Sequence, residues 1–194
     1  MSELLVYLLA AALLQNLVLT TGFGSSMMMR ILRRPTDLLP FGALLTLFSV
    51  SSSLIVYPLD GLLGTGYWAK LFRPLIMVAI TAALYILLSL LIRRSVRLYR
   101  RVGHLLGLAA FNNVVVGVAL ILNHQFAATL PVAIGFSAGS CLGFTLLALV
   151  LVQATRRADH PAMPDAFRGL PSTLLYMGIL ALALMGFSGS VSFV

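Results

Sequence analysis

The chain has 194 residues, of which 60% are hydrophobic and only 9% charged, and its mean hydropathy is +1.05. Such a composition excludes a soluble globular domain of this size and reads as an integral membrane protein. The net charge of +8 does not point to nucleic acid, because no basic region stands outside the apolar segments to make such contacts.

The first apolar segment, Leu4 to Gly22, reads as a retained helix rather than a cleaved signal: no basic residue precedes it, and no small-residue cleavage site closes it before Arg30. It carries two amides, Gln15 and Asn16, and runs into Gly22, Phe23, Gly24, Ser25 and Ser26. Two readings of that Gly/Ser stretch stand side by side: a break inside the protein that lines a site, or a helix end at the membrane interface. After Arg30, Arg33 and Arg34 a second helix is predicted from about Leu38 to Tyr57, with Ser49, Ser51, Ser52 and Ser53 as small packing groups. A third helix is predicted from about Phe72 to Ile92.

Arg93, Arg94, Arg97, Arg100 and Arg101 form the loop predicted before helix four, which runs from Leu105 to Asn123 and holds Asn112 and Asn113 near its middle. Lipid offers an amide no hydrogen bond, so this pair is expected to face other helices or a wet cavity. It matches Gln15 and Asn16 in the first half, and each pair precedes a branched apolar run, Leu17 to Leu19 and Val114 to Val116. The recurrence predicts a repeat built around a midplane polar site of Gln15, Asn16, Asn112 and Asn113. Helix five, about Pro131 to Gln153, spaces Gly135, Gly139 and Gly143 four apart on one face, with Ser137 and Cys141 beside it. Small residues at that spacing let another helix backbone approach closely. Arg156, Arg157 and Arg168 then mark a proline-containing loop, and the last helix is predicted from about Leu170 to Phe187.

All lysines and arginines except Lys70 and Arg73 fall in these three clusters, which alternate with loops nearly free of charge. The positive-inside rule places the clusters in the cytoplasm and both termini outside. With three spans in each half, the prediction is an all-α integral membrane protein. Six transmembrane helices form two inverted three-helix repeats, about 1–95 and 96–194, in a single transmembrane domain. The single cysteine, Cys141, allows neither an intrachain disulfide nor a multi-thiolate metal site. His104, His124 and His160 lie in or beside predicted loops without a nucleophile, a carboxylate or a Gly-rich phosphate loop, so no catalytic or metal-binding residue is expected.

Four strings carry a resemblance: Gln15 Asn16 Leu17 Val18 Leu19; Asn112 to Leu120 with its Gly117 Val118 Ala119 Leu120 run; Phe167 Arg168 Gly169; and Met185 Gly186 Phe187 Ser188 Gly189. With them the chain, over essentially its whole length, resembles the family of small membrane subunits that includes RnfA of the Rnf electron-transport complex. RnfE and the NqrD and NqrE subunits of the sodium-pumping NADH:quinone reductase are more distant members. The resemblance implies an inverted-repeat protein of the bacterial inner membrane, paired with a homologous RnfE-like subunit. Other Rnf subunits, carrying flavin and iron–sulfur centres, are the further partners implied. The implied function is that of a core subunit in a redox-driven ion-translocating complex, coupling electron transfer from NADH or ferredoxin to movement of Na+ or H+. In that family the pair holds an intramembrane two-iron, two-sulfur cluster, whose cysteine positions match Ser26 and Asn113 here. Neither residue supplies soft anionic sulfur, so no cofactor is expected on this chain alone and the family cluster is expected to be absent or held by the partner. Two other readings fit the same residues: a stand-alone secondary transporter that kept the repeat, and a scaffold whose amides merely tie helices together.

Overall fold

In hydrocarbon no water is present to satisfy backbone N–H and C=O groups, so a chain this apolar pairs them within helices. The computed structural model describes residues 2–14, 16–63, 67–125, 129–158 and 164–188, and among these every regular element is helical. Helix α1 (Ser2–Leu9) continues as a π-helical turn, Ala10–Leu14, and is followed by α2 (Leu17–Thr21) and α3 (Ser25–Leu32). A 3-10 turn, Pro35–Asp37, leads into α4 (Leu38–Leu63), and α5 (Tyr67–Arg93) follows. The second half comprises α6 (Val96–Ala110), α7 (Asn113–Gln125), α8 (Leu130–Ala158), a 3-10 turn at Asp165–Phe167 and α9 (Leu170–Ser188).

Three of these helices are long and apolar enough to cross a membrane, within Pro35–Pro58, Pro74–Arg93 and Leu130–Arg156. A fourth span is formed by α6 and α7 together, bent by 46°. The apolar stretches Glu3–Leu13 and Leu170–Gly186 are shorter. Burial ranks the long spans: 61% for α8, 50% for α4 and 17% for α5. Helices α4 and α8 therefore make the centre of the bundle, while α5 turns Leu75, Ile86, Leu87, Leu90 and Leu91 outward.

Small residues explain why α8 is central. A Cβ added at Gly135 or Gly139 would meet the backbone of Leu4 or Leu8, and one at Gly143 the backbone of Ala12, so α1 and the π turn lie directly on that glycine face. Contact this close is how membrane helices gain dispersion energy where no hydrophobic effect separates helix from lipid. The opposite face of α8 meets α4: the Oγ atoms of Ser137 and Ser53 are 2.9 Å apart, Cys141 Sγ lies 3.6 Å from the Leu45 carbonyl, and the Phe41 and Phe144 rings pack at 5.8 Å.

Two contacts bring the basic clusters to one end of the bundle. His104 Nε2 sits 3.3 Å from Asp37 Oδ2, joining the turn after Arg33 and Arg34 to the helix that carries Arg97, Arg100 and Arg101. Arg33, Arg156 and Arg168 line a single cavity.

The structure changes the expected element boundaries in three places. Leu105 to Asn123 is not one helix: α6 starts nine residues earlier, at Val96, and stops at Ala110. The second arginine cluster is not a loop either, since only Arg94 and Ser95 separate α5 from α6. Arginine is a good helix former, and nothing between Val96 and Arg101 breaks a helix. Finally, the first segment breaks twice, once before α2 and again at Gly22 to Gly24.

Candidate functional site

Both interrupted spans break at an asparagine that caps the helix after it. Asn16 has an extended backbone (φ −63°, ψ 106°), and its Oδ1 accepts the Val18 N–H at 3.1 Å while its carbonyl accepts those of Leu19 and Thr20. Asn112 repeats the arrangement: its Oδ1 accepts the Val114 N–H at 3.0 Å and its carbonyl the Val115 N–H at 3.0 Å. Asparagine is among the best residues for this task because a short side-chain carbonyl reaches an otherwise orphaned first-turn amide. The two residues are 4% and 2% exposed, so each cap forms inside the protein. Broken backbone in a membrane is tolerated where protein surrounds it or a cavity is lined by it.

The breaks meet through glycine. Gly22 and Gly24 both lie in the left-handed region (φ 74° and 80°), a conformation that glycine adopts without penalty. The tight turn they make presses onto the second half. A methyl group at Gly24 would come within 2.6 Å of a Val114 methyl, 3.1 Å of the Phe144 ring and 3.2 Å of Asn112 Oδ1, and the Phe23 ring lies on Gly117 of α7. On the other side, a methyl at Gly143 would come within 3.1 Å of Asn16 Nδ2. Helix α8 and the Gly22–Gly24 turn thus enclose both caps.

The four amides of the expected midplane site divide. Asn16 and Asn112 are buried caps, whereas Asn113 is exposed at the first position of α7. Gln15 lies outside the described residues. Asn16 corresponds to Asn112 by position and by hydrogen bonding, so the internal match is offset by one residue from the pairing of Gln15 and Asn16 with Asn112 and Asn113. The Nδ2 of Asn112 is buried with no hydrogen-bond partner among the described residues. Left that way, an amide donor costs about 1–3 kcal/mol.

Read from the sequence, the serines of α4 and α8 are separate packing groups, and the fold puts them face to face. Ser49, Ser52 and Ser53 are buried opposite Ser137 and Ser140, and the hydroxyls of Ser52 and Ser140 have no partner among the described residues. No spacing rule within one helix shows which residue of another it will face, so this hydroxyl layer has no sequence signal.

Ser26 and Asn113 occupy equivalent places, each in the first turn of the helix after a break, and both are exposed on this chain. A hydroxyl and a neutral amide are not the thiolate set that iron in a cluster takes. Cys141 offers no substitute: it is buried on α8 against Leu45 of α4, well along the chain from either position. Among the described residues no three of His, Cys, Asp and Glu gather closely enough to hold a metal ion. Ser26 and Asn113 therefore do not fit the family cluster.

Comparison with known proteins covers the chain end to end. Residues 4–191 match the model of a family described as Rnf-Nqr subunit, membrane protein. Bacterial proteins named as the RnfA-type (A) component of an ion-translocating oxidoreductase complex are similar to it throughout. The one from Syntrophotalea carbinolica is 31% identical over 98% of this chain and 99% of its own length. Those of Histophilus somni (strain 2336) and Pasteurella multocida are 32% and 30% identical over 98% of this chain, covering 99% and 100% of their own lengths.

Proposed function

We propose that this chain, which belongs to the Rnf-Nqr family of membrane subunits, works as a membrane core subunit of a redox-driven ion-translocating oxidoreductase complex of the Rnf type. The complex would couple electron transfer from NADH or ferredoxin to movement of Na+ or H+. The observation that carries the reading is the pair of buried asparagine caps, one in each half, in a chain similar over its full length to the RnfA-type components of such complexes. Caps of this kind create half-helix ends inside the bundle. The carbonyls that end α6 favour a cation, and the amides of Asn112 favour an oxygen ligand or water.

The six-span, inverted-repeat topology is part of this proposal. Segments α1 to α3 correspond to α6 and α7, α4 to α8, and α5 to α9. Helix pairings support the match: α1 packs on α8 as α6 packs on α4, and α5 packs on α4 as α9 packs on α8. Gathering of the arginine clusters at one end supports a cytoplasmic placement for that end, with both termini periplasmic in a bacterial inner membrane. The outward leucines of α5 and the exposed Ser26 and Asn113 suit a face toward a homologous, RnfE-like partner, and subunits bearing flavin and iron–sulfur centres complete the assembly. This chain would supply no thiolate, so a two-iron, two-sulfur cluster is absent here or held by the partner.

Purification from native membranes under mild detergent tests the reading. Co-isolation with flavin-bearing and iron–sulfur subunits is expected, whereas a chain that runs alone would contradict it. The buried hydroxyls between α4 and α8 favour one second reading, a stand-alone secondary transporter that kept the repeat and lost the redox site. Ion uptake by the lone protein in liposomes would select it.

A further inference from the structure

A cavity of about 650 Å³ opens at the arginine end of the bundle, where the end of α3, the end of α8 and the start of α9 converge. Its charged residues come from three separate segments: Arg33 just after α3, Arg156 near the end of α8, and Arg168 before α9. No acidic residue is among the described residues that line it. Three guanidinium groups, always protonated, repel one another when gathered in one cavity, and a bound anion reverses the sign of that interaction. Neither Arg33 nor Arg156 forms an ion pair with any described residue.

The neutral polar groups narrow the choice of donors. Ser172 and Thr173 each direct their hydroxyl to the Gly169 carbonyl at 2.9 Å, which leaves the arginines as the principal donors in the cavity. Guanidinium groups match phosphate oxygens in geometry, with two parallel N–H donors per oxygen pair. The remaining wall is apolar, with Leu32 and Leu170 at the cavity, and below it α9 exposes Leu174 and Leu175 along its outer face. A charged head above and an apolar strip beneath is the outline of a phospholipid at the membrane surface.

We propose that this cavity binds the phosphate group of an anionic phospholipid, held by Arg33 and Arg156 with Arg168, while the acyl chains lie along α9. Phosphate chemistry is what the arginines read, and the leucines are what select a lipid over a free ion. Basic pockets between helices on the cytoplasmic side are established places for anionic headgroups in membrane proteins generally. The Phe167 Arg168 Gly169 string, which the ion-translocation reading leaves without a task, gains one here. Gly169 turns the chain at φ 79° so that Arg168 and α9 border the same cavity.

Native mass spectrometry of the full-length chain in detergent, titrated with phosphatidylglycerol, with phosphatidylcholine and with inorganic phosphate, tests the proposal. Phosphatidylglycerol should bind in preference, and the double variant Arg33→Gln/Arg156→Gln should weaken its binding by about thirtyfold. The control Arg97→Gln/Arg100→Gln, which removes two exposed arginines of α6, should leave the preference intact. An Arg33→Lys/Arg156→Lys variant guards against misfolding: it keeps the charge and should keep most of the preference. Equal binding of both lipids, or equal weakening in the control, would overturn the proposal. Displacement of phosphatidylglycerol by millimolar inorganic phosphate would overturn the lipid assignment and leave a free-phosphate site.

Discussion

The break at Asn16 follows a π-helical turn and leads through five helical residues into two left-handed glycines and a second short helix, whereas the break at Asn112 is a single bend of 46°. Cap chemistry is the same at both. What differs is the far side of each amide, since Asn16 Nδ2 packs against Gly143 while Asn112 Nδ2 is buried without a partner among the described residues. The first break is therefore a docking device, a tight turn that folds its glycines and Phe23 onto the second half. The second is a polar point with an unused donor, which is where an oxygen ligand gains most.

The largest effect should come from the docking side. Gly24→Ala places a Cβ on a left-handed backbone and against Val114, so it should lower stability by about 3 kcal/mol in mixed-micelle unfolding. Gly117→Ala meets only the Phe23 ring and gains helix propensity, and a loss of about 1 kcal/mol is expected. Equal losses at the two glycines would show that the breaks do not meet as described. The smallest and most discriminating effect concerns the caps. Asn16→Ala should cost about 1 kcal/mol through the lost cap, whereas Asn112→Ala loses the same cap but also removes a buried unpaired donor and should be close to neutral. Ion translocation by the assembled complex should fall in Asn112→Ala despite that stability, and unchanged translocation would remove Asn112 from the pathway.

Much of the architecture is legible in the sequence, because it follows from composition and period. Apolar length marks the spans, and the four-residue spacing of Gly135, Gly139 and Gly143 marks a face that a backbone can approach. Which backbone it will be is not written there, and neither is the pairing of Ser53 with Ser137, since both depend on how separate helices pack. The breaks are half legible. Gly22 to Gly24 announces itself through glycine, but Asn112 does not, because an asparagine inside an apolar run is compatible with a helix interior and with a cap, and only tertiary surroundings decide. The same ambiguity explains why the sequence presents Asn112 and Asn113 as equals when one is a buried cap and the other an exposed first-turn residue. Ser26 and Asn113 are legible only through resemblance, and the structure adds that they occupy matching, exposed positions after the two breaks.

Sidedness of the arginine clusters tests the central claim most directly, because two triplets of opposite sense require all three clusters on one face of the membrane. Single cysteines introduced as Arg33→Cys, Arg97→Cys and Arg156→Cys in a Cys141→Ser background can be labelled with an impermeant thiol reagent in right-side-out and inverted vesicles. The account predicts that all three react only in inverted vesicles. Labelling of any one of them from the opposite side would contradict it.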